Sequence, residues 1–335
     1  LGPVEGGAHA GSMDTEQLRL VVAAAELAPS IHNTQPWQFV ARPDGSLDVR
    51  VDPDRRLPAV DPSGRQLLVS CGAAVEFARL ALRAVGRDCA VAVLPDAEDR
   101  DLVARLTPGD VMAPSELDVA LVDAMGRRST DRGPYDDVAL PGTLVDTLRA
   151  GVEPFGVWLR QIDLPTDRVV VTAALADGEK RQTANPAYVD ELRRWTHRAG
   201  RADGFAEPSP EWPVDVVSDM PMRDYAGLDG HRHTGPGEPP RVVRDALVLL
   251  GSVGDVAESH VAAGRALGWL WLRLTVEGVS AQPLGQAMDD RQGRARLAAD
   301  LRLIGHPQFL LRLGYGHASA QTARRSLRDA FTVTT

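Results

Sequence analysis

Hydrophobic and polar positions alternate along the first part of the chain with periods that predict helices, a hairpin and a strand. Within residues 15–27, apolar residues such as Leu18 and Val21 share one helical face. Pro29 then acts as a stop signal, because the residue before a proline avoids the α conformation. Apolar and polar residues alternate on both sides of the Pro-Asp-Gly turn at residues 43–45, as in a β-hairpin. The predicted helices are residues 15–27, 65–85, 98–106 and 115–126, and the predicted strands are residues 36–41, 46–52 and 90–94.

The second part of the chain repeats this order of elements. Its predicted helices are residues 144–150, 185–198, 256–277 and 291–303, its predicted strands are residues 155–162, 246–250 and 308–313, and residues 168–174 are predicted as a strand or the start of a helix. Each part has one long apolar helix with a run of small residues, Gly-Ala-Ala at 72–74 and Ala-Ala-Gly at 262–264. Small residues let two helices approach closely, as the centre of a dimer requires. The sequence therefore predicts an α+β fold of two similar halves fused in one chain, each a β-sheet with flanking helices, around a central helical interface.

The limits of these halves follow from the places where periodicity is lost. Residues 1–13 are predicted to lie outside the fold, either disordered or added for expression, because they show no period. Residues 14–126 then form the first half and residues 127–335 the second. Residues 200–240 concentrate glycine and proline without a sustained period, which is typical of a lid or a disordered loop.

The predicted lid contains two histidines and two methionines, His231, His233, Met220 and Met222. A His-x-His pair without carboxylate or cysteine ligands nearby is weak evidence for a metal, so we predict no metal site. The pair is expected to shape a pocket instead. The methionines are compatible with lining that pocket or with packing inside the lid.

Composition and charge exclude several classes of protein. The chain has 335 residues, of which 44% are hydrophobic and 25% charged, as in ordinary globular proteins. Its net charge of -9 argues against nucleic-acid and anionic-membrane partners, because those surfaces require a basic face. Two cysteines are too few for a disulfide framework, and no apolar run is long enough to span a bilayer. We expect a soluble cytoplasmic protein with a small-molecule partner.

Three polar strings are candidates for chemistry. The string Ala-Pro-Ser-x-x-Asn-x-Gln-Pro-Trp at residues 28–37 offers a hydroxyl, carboxamides and backbone N–H groups to a flat heteroaromatic ring, or is a plain turn. The strings Arg-Arg-Ser-x-x-Arg at residues 127–132 and Arg-Arg-Ser at residues 324–326 combine guanidinium groups with hydroxyls, as phosphate sites do. Each of the two is also compatible with a solvated basic turn.

Taken together, these strings resemble the FMN-dependent nitroreductase superfamily, and in detail its Acg-type branch. The segments at residues 70–76, 280–284 and 307–316 are similar to the same branch, so that the resemblance extends over roughly residues 16–325. It implies a nitroreductase-like fold, with FMN bound where two subunits, or here two halves, meet.

The resemblance also assigns residues to the flavin. The residues that match the family's cofactor-binding positions are Pro29, Ser30, Ile31, Asn33 and Gln35 in the first string, Arg127, Arg128, Ser129 and Arg132 in the second, Gln282, Pro283, Leu284 and Gly285 in a turn after the second long helix, and Arg324 and Arg325 in the tail. The arginine strings are expected to hold the phosphate and the Pro-Ser turn to lie against the isoalloxazine ring. The turn after the long helix is expected to offer a backbone N–H toward flavin N5.

The activity that the resemblance implies is hydride transfer through flavin N5 to or from a small organic substrate, with NAD(P)H as the electron donor. Such chemistry needs no catalytic side chain, since the cofactor carries it. Two alternatives stay open. In the first, a lid that closes stably makes the chain an FMN-sequestering or storage flavoprotein with little NAD(P)H-dependent activity. In the second, the chain is a dehydrogenase dedicated to one biosynthetic substrate.

The two halves contain only one complementary pair of flavin-binding strings. The first half has the Pro-Ser turn, whereas residues 151–158, where a second turn would stand, contain neither serine nor asparagine. The second half has the arginines, and no arginine-serine pair precedes the helix at Thr15. We therefore predict one FMN per chain, a degenerate second site, and a monomer that contains its own dimer interface.

Overall fold

The computed structural model describes residues 13–197, 201–206, 216–218, 220–221, 241–243, 245–316 and 321–334. Most of the predicted lid, including Met222, His231 and His233, lies outside the described residues, as do residues 1–12.

Helices and strands are interspersed along this part of the chain. The helices are α1 Thr15–Ala25, α2 Arg65–Ala84, α3 Glu116–Met125, α4 Gly142–Val152, α5 Pro165–Thr183, α6 Pro186–Trp195, α7 Ala257–Val276, α8 Arg291–Asp300 and α9 Leu327–Ala330. The strands are β1 Trp37–Ala41, β2 Leu47–Val51, β3 Arg87–Val93, β4 Leu102–Val111, β5 Val157–Gln161, β6 Thr196–His197, β7 Phe205–Ala206, β8 Val216–Ser218, β9 Arg241–Val243, β10 Ala246–Ser252, β11 Ser280–Pro283, β12 His306–Gly314 and β13 Phe331–Val333. Short 3₁₀ turns occur at Ile31–Asn33, Pro53–Arg55 and Glu153–Phe155.

Two separate sheets form the framework. The first has the strand order β13-β1-β2-β4-β3 and the second the order β11-β12-β10-β5. Two further two-stranded sheets pair β6 with β7 and β8 with β9. Helices surrounding two distinct sheets confirm the predicted α+β class.

The end of the chain returns to the first sheet. Strand β13 pairs in parallel with β1, with Phe331 opposite Phe39, whereas the other pairs in the two large sheets are antiparallel. The tail therefore completes the sheet that the first half begins. The division of the chain at residue 126 stays a prediction.

The long helices α2 and α7 cross at the centre of the molecule through glycines. A Cβ atom on Gly72 would lie 2.3 Å from Val261 O, and one on Gly264 would lie 2.1 Å from Val69 O. The contacts are reciprocal, because Gly72 Cα and Gly264 Cα are each among the nearest neighbours of the other. This close approach confirms the predicted central helical interface.

One apolar core fills each side of this crossing. The first packs α1, α2 and α3 against β1, β2 and β4. The second packs α4 and α7 against β5, β10 and β12, and includes the buried Trp271. Trp269 is half-buried and lies against Gly151, where a Cβ would meet the indole.

Local signals explain most of the remaining elements. Asp14 begins α1 with a capping box, in which its side chain accepts from Gln17 N and the Gln17 side chain accepts from Asp14 N. The hairpin of β1 and β2 turns at Gly45, whose φ of 80° is costly for other residues. Both elements are confirmed.

The sequence prediction of a helix at residues 98–106 was wrong. Residues 102–106 belong to β4, where Leu102, Val103 and Leu106 are buried beneath α2 and pair with β2 and β3. A short apolar run does not distinguish a buried strand from a helix, and sheet pairing decides here. Residues 168–174, left open as strand or helix, lie in α5, which begins with Pro165 in its first turn.

Candidate functional site

The turn at residues 29–35 has an unusual backbone. His32, Asn33 and Gln35 have φ angles of 47°, 52° and 49°, in the left-handed region that is costly for residues other than glycine. Hydrogen bonds hold this conformation: Ser30 Oγ accepts from Gln35 N at 2.9 Å, and Ile31 N donates to Ser70 Oγ at 3.0 Å. Pro29 and Ile31 are half-buried beside these bonds. Such strain, when it is held by neighbouring groups, is a feature of ligand sites.

The side chain of Arg324 connects the tail to this turn. Its guanidinium donates to Asn33 Oδ1 at 3.2 Å, and to the carbonyl oxygens of Glu26, Leu27 and Ala28 at 2.8, 3.1 and 3.4 Å. These carbonyls are the unpaired acceptors at the C-terminal end of α1, so the guanidinium caps the helix.

Arg325 makes a second connection between the tail and the first half. Its backbone N–H donates to Gln35 Oε1 at 2.8 Å, and its guanidinium donates to Gln35 O, Trp37 O and Asp52 Oδ2. The sequence assigned Arg324 and Arg325 to an anion. The structure shows that both also attach the tail to β1 and α1.

Arg128 is the buried cation of the second string. Its residue is 5% exposed, and neither Nε nor Nη1 has a hydrogen-bond partner within the described part of the chain. The guanidinium carbon lies 4.9 Å from the ring centroid of Trp271 on α7. Burial, and then the positive charge of the nearby Arg324, lower the pKa of Arg128 to about 9. A buried guanidinium beside a second cation is costly, and a bound anion would remove that cost.

The other residues of the second string have different surroundings. Arg127 is exposed, and its guanidinium pairs with Asp123 at 3.0 Å on the outer face of α3. Ser129 and Arg132 are half-buried. Between them Asp131 is buried, and its backbone N–H donates to Ala281 O at 3.3 Å. The string therefore connects the end of α3 to β11. Of its three arginines, only Arg128 is buried, with Nε and Nη1 unbonded among the described residues.

The turn that follows the second long helix begins in β11. Gln282 Oε1 accepts from Arg312 Nη1 at 2.6 Å, so that this carboxamide is held in place. Leu284 is buried, and its N–H donates to Leu310 O at 2.9 Å. Pro283 has no N–H. Because the Leu284 N–H is already bonded to Leu310 O, it is not available to a ligand. The next residue, Gly285, is half-buried.

The first turns of α2 connect this segment to the turn at residues 29–35. Ser70, which accepts from Ile31 N, donates to Gln66 O at 2.7 Å. Gln66 Nε2 in turn donates to Asp289 Oδ1 at 3.4 Å. The turn assigned to the flavin ring and the segment assigned to its N5 therefore both connect to the same end of α2.

A short part of the predicted lid lies on the turn at residues 29–35. Gly204 N donates to Asn33 O at 3.2 Å, and Asn33 Nδ2 donates to Gly204 O at 2.8 Å. Gln35 Nε2 also donates to Ala202 O at 2.9 Å. Residues 202–204 thus cover the carboxamides of both residues.

The segment at residues 151–158, where a second flavin-binding turn would stand, lies beside paired charges. Beside the turn at Glu153–Phe155, Arg265 of α7 lies over the Phe155 ring at 5.3 Å from its centroid. The same arginine pairs with the fully buried Glu76 of α2 at 3.1 Å, and Glu76 also pairs with Arg79. Unlike Arg128, the half-buried Arg265 has an anionic partner.

Sequence reasoning missed two buried charged residues near the site. Arg312 is fully buried, donates to Asp245 Oδ2 at 2.6 Å, and lies 3.9 Å from the centroid of the Tyr135 ring. Glu26 accepts from Trp37 Nε1 at 2.7 Å, and burial raises its pKa to about 7. Arg312 lies in the segment at residues 307–316 that resembles the Acg-type branch, but neither that segment nor the surroundings of Glu26 in the sequence predicts a buried charge.

The described residues contain neither a cluster of metal ligands nor a helix that could span a membrane. No group of three or more histidine, cysteine or acidic side chains is placed to hold a metal there. None of the helices described is both long and apolar enough to cross a bilayer.

Two proteins of Mycobacterium tuberculosis are similar to nearly the whole chain. The one named "Putative NAD(P)H nitroreductase Rv3131" is 32% identical over 324 residues, which are 94% of this chain and 90% of that protein. The chain belongs to the nitroreductase superfamily. The protein named "Putative NAD(P)H nitroreductase acg" is 27% identical over 330 residues, 95% of this chain and 96% of that one, and places this nitroreductase-superfamily chain in the Acg branch.

Two further comparisons add less. A crystal structure of a nitroreductase with bound FMN from Bacteroides fragilis covers 62% of this chain and 93% of its own, at 12% identity and a TM-score of 0.36. No family model matches this member of the nitroreductase superfamily.

Proposed function

We propose that this chain is an FMN-dependent oxidoreductase of the nitroreductase type, which takes electrons from NAD(P)H and reduces a small organic substrate by hydride transfer through flavin N5. The observation that carries the proposal is the guanidinium of Arg128, which is buried, stacked on Trp271 and without partners for Nε and Nη1 among the described residues. Such a group fits the phosphate of FMN, a dianion with several acceptor oxygens.

The phosphate fits the surroundings of Arg128 as well. Ser129 is adjacent and half-buried, and its hydroxyl adds a donor. Arg324 adds a second positive charge, and its own bonds to the end of α1 keep it in place. An anion bound between Arg128 and Arg324 would neutralise two cations that otherwise repel each other.

The isoalloxazine ring is assigned to the turn at residues 29–35 and to the turn after β11. Ser30, Asn33 and Gln35 are held by bonds to the tail and within the turn, so that the backbone around Ile31 presents a fixed edge. Since Leu284 N is bonded to Leu310 O, Gly285 N and Gln286 N are the donors that the second turn can offer to flavin N5.

One FMN per chain is the expected stoichiometry. The corresponding position on the other side of the α2–α7 crossing contains the buried Glu76, which pairs with both Arg79 and Arg265. A phosphate there would meet a buried carboxylate, and like charges at close range repel. The monomer would thus contain its own pseudo-dimeric interface with a single functional site.

Bound FMN supplies the hydride chemistry, and the protein residues bind and orient it. Arg128 and Ser129 would fix the phosphate, and the strained turn would fix the ring edge. Gly285 or Gln286 would donate a hydrogen bond toward N5. The segment 202–204, which is bonded to Asn33 and Gln35, would shield the outer side of the turn from water and so favour hydride transfer over reaction with solvent.

A second candidate function rests on that same segment. Its bonds to Asn33 and Gln35 cover the turn, and a lid that stays closed would keep NAD(P)H out and make the chain an FMN-storage protein. An anaerobic titration separates the two: the FMN-loaded protein is mixed with NADPH or NADH, and flavin absorbance is followed. Bleaching at a rate proportional to donor concentration supports the reductase. Bound flavin that stays oxidised with both donors overturns it in favour of storage.

A further inference from the structure

Glu26 is a buried carboxyl group with too few donors for a carboxylate. The residue is the C-cap of α1 and is 4% exposed. Its Oε1 accepts from Trp37 Nε1 at 2.7 Å, while Oε2 has no hydrogen-bond partner in the described part of the chain. An ionised carboxylate removed from water requires several donors or a paired cation. Burial accordingly raises its pKa to about 7, with the Trp37 bond and the nearby arginines acting in the opposite direction.

The charged groups around Glu26 come from the tail and from the turn at Pro53–Arg55. Arg324, Arg325 and Arg55 all favour the ionised carboxylate. Two of them have acidic partners of their own: Asp52 pairs with Arg325 at 3.2 Å and with Arg55 at 3.4 Å. Arg55 also pairs with Asp203 at 3.2 Å. Of the three, only Arg324 forms no hydrogen bond to an acidic side chain within the described part of the chain.

The other elements packed against α1 contribute no opposing charge. On α2 the titratable group beside β1 is Cys71, whose thiol donates to Pro36 O at 3.4 Å and whose pKa is raised by burial, so that it stays neutral. On α9 the carboxylate of Asp329 accepts from Ser326. Arg325 and then Arg324 act most strongly on the charge of Glu26, and of the two it is Arg324 whose charge also acts on Arg128.

Arg324 connects Glu26 to the anion site. Its Nε donates to the backbone oxygen of Glu26 at 2.8 Å, and its positive charge acts on Arg128. An anion that binds between the two arginines reduces the positive charge that favours ionised Glu26, and so favours its protonation. Linkage is reciprocal, so that a neutral Glu26 must strengthen anion binding by the same factor.

We propose that Glu26 takes up a proton when the FMN phosphate binds between Arg128 and Arg324, and that this proton sets the pH dependence of cofactor affinity. The inference rests on the proposed function, because it takes FMN as the anion. Glu26 is a positioning residue in this account, since it acts through Arg324 and touches no cofactor atom. The contribution of Glu26 therefore makes the affinity for FMN higher below pH 7 than above it.

Calorimetric titration of the flavin-free full chain with FMN tests the proposal. Titrations at pH 7 in two buffers with different ionisation enthalpies give the number of protons taken up on binding. Glu26→Gln is compared with wild type, and Glu16→Gln, at an exposed residue on the same helix, is the matched control. The phosphate of FMN releases or takes up the same proton in all three proteins, so that the difference between them isolates Glu26.

The expected difference is about half a proton more for wild type and Glu16→Gln than for Glu26→Gln. Between pH 8 and pH 6, FMN affinity should rise about fivefold more in wild type than in Glu26→Gln. Equal proton uptake and parallel pH profiles in Glu26→Gln and wild type, with FMN bound by both, would overturn the inference alone. FMN binding by neither protein at any pH would instead overturn the proposed function.

A second variant applies if Glu26→Gln does not fold. Trp37→Phe keeps the carboxyl and removes the N–H that favours its ionised form. The pH midpoint of the affinity change should move upward in this variant. A midpoint unchanged from wild type contradicts the role of Glu26.

Discussion

The guanidinium of Arg128 lies 4.9 Å from the ring centroid of Trp271, and this contact joins the loop after α3 to the central helix α7. The indole covers one side of a cation that is otherwise buried without partners for two of its nitrogens among the described residues. A cation–π contact holds the guanidinium plane in one orientation but does not neutralise its charge. The charge of Arg128 therefore has no anionic partner among the described residues.

Arg128→Gln should weaken FMN binding by about 10- to 100-fold, since charge-assisted hydrogen bonds to phosphate are worth roughly 1.5–3 kcal/mol. Fluorescence titration of the flavin-free protein measures this. Arg127→Gln is the control, because that arginine is exposed and paired with Asp123. Without FMN, the free energy of unfolding of Arg128→Gln should not fall, as a costly buried charge is removed. Equal FMN affinity in the two variants would refute the phosphate assignment.

Gly264→Ala should destabilise the protein strongly, because the added Cβ would lie 2.1 Å from Val69 O in the backbone of α2. Overpacking of this kind costs about 1–3 kcal/mol or more. Gly142→Ala is the control at a helical glycine with open space around its Cβ position, where a gain of about 0.5–1 kcal/mol is expected. Urea unfolding measures both, and a Gly264→Ala variant as stable as wild type would rule out the close crossing.

Asn33→Ala should release residues 202–204 from the turn. The variant loses the bond to Gly204 O and the acceptor for Arg324, while the backbone bond from Gly204 N stays possible. Hydrogen–deuterium exchange should show faster uptake over residues 201–206 and no change over α4. Unchanged uptake over residues 201–206 would show that this carboxamide does not hold the segment.

The stability of the flavin-free protein should depend on the protonation of Glu26. Its pKa is raised in the folded state to about 7 from an ordinary value of 4.5, so the folded protein binds the extra proton between these values. Stability from this group is therefore full below pH 4.5 and is lost as the pH rises through 7, by about 3 kcal/mol. Urea unfolding at pH 5 and pH 8 should show this loss in wild type and Glu16→Gln and not in Glu26→Gln. The same loss in all three proteins would exclude Glu26 as its source.

The central architecture could be predicted from the sequence because helices that pack closely require small residues where they cross. The small residues at 72–74 and 262–264 predicted the crossing of α2 and α7, and the glycines there do approach backbone atoms. The hairpin of β1 and β2 was equally visible, since its turn is local. Elements of this kind are determined by neighbours in the chain.

Other features depend on partners far away in the chain, and the sequence does not show them. Strand β13 pairs with β1 across almost 300 positions, and nothing in its three residues predicts that contact. In the second string, Arg127 and Arg128 are chemically identical neighbours. Only the direction of the chain after α3 decides that one faces solvent and the other lies over Trp271. The charge state of Glu26 likewise follows from its burial, and its position near the end of a helix does not predict that burial.

The ratio of FMN to protein tests the central claim most directly. The full chain is saturated with FMN and freed of excess flavin, and the bound flavin is quantified by absorbance and by native mass spectrometry. The account predicts one FMN for each 335-residue chain, and a marked loss in Arg128→Gln under the same treatment. Two FMN molecules per chain, or none, would contradict it.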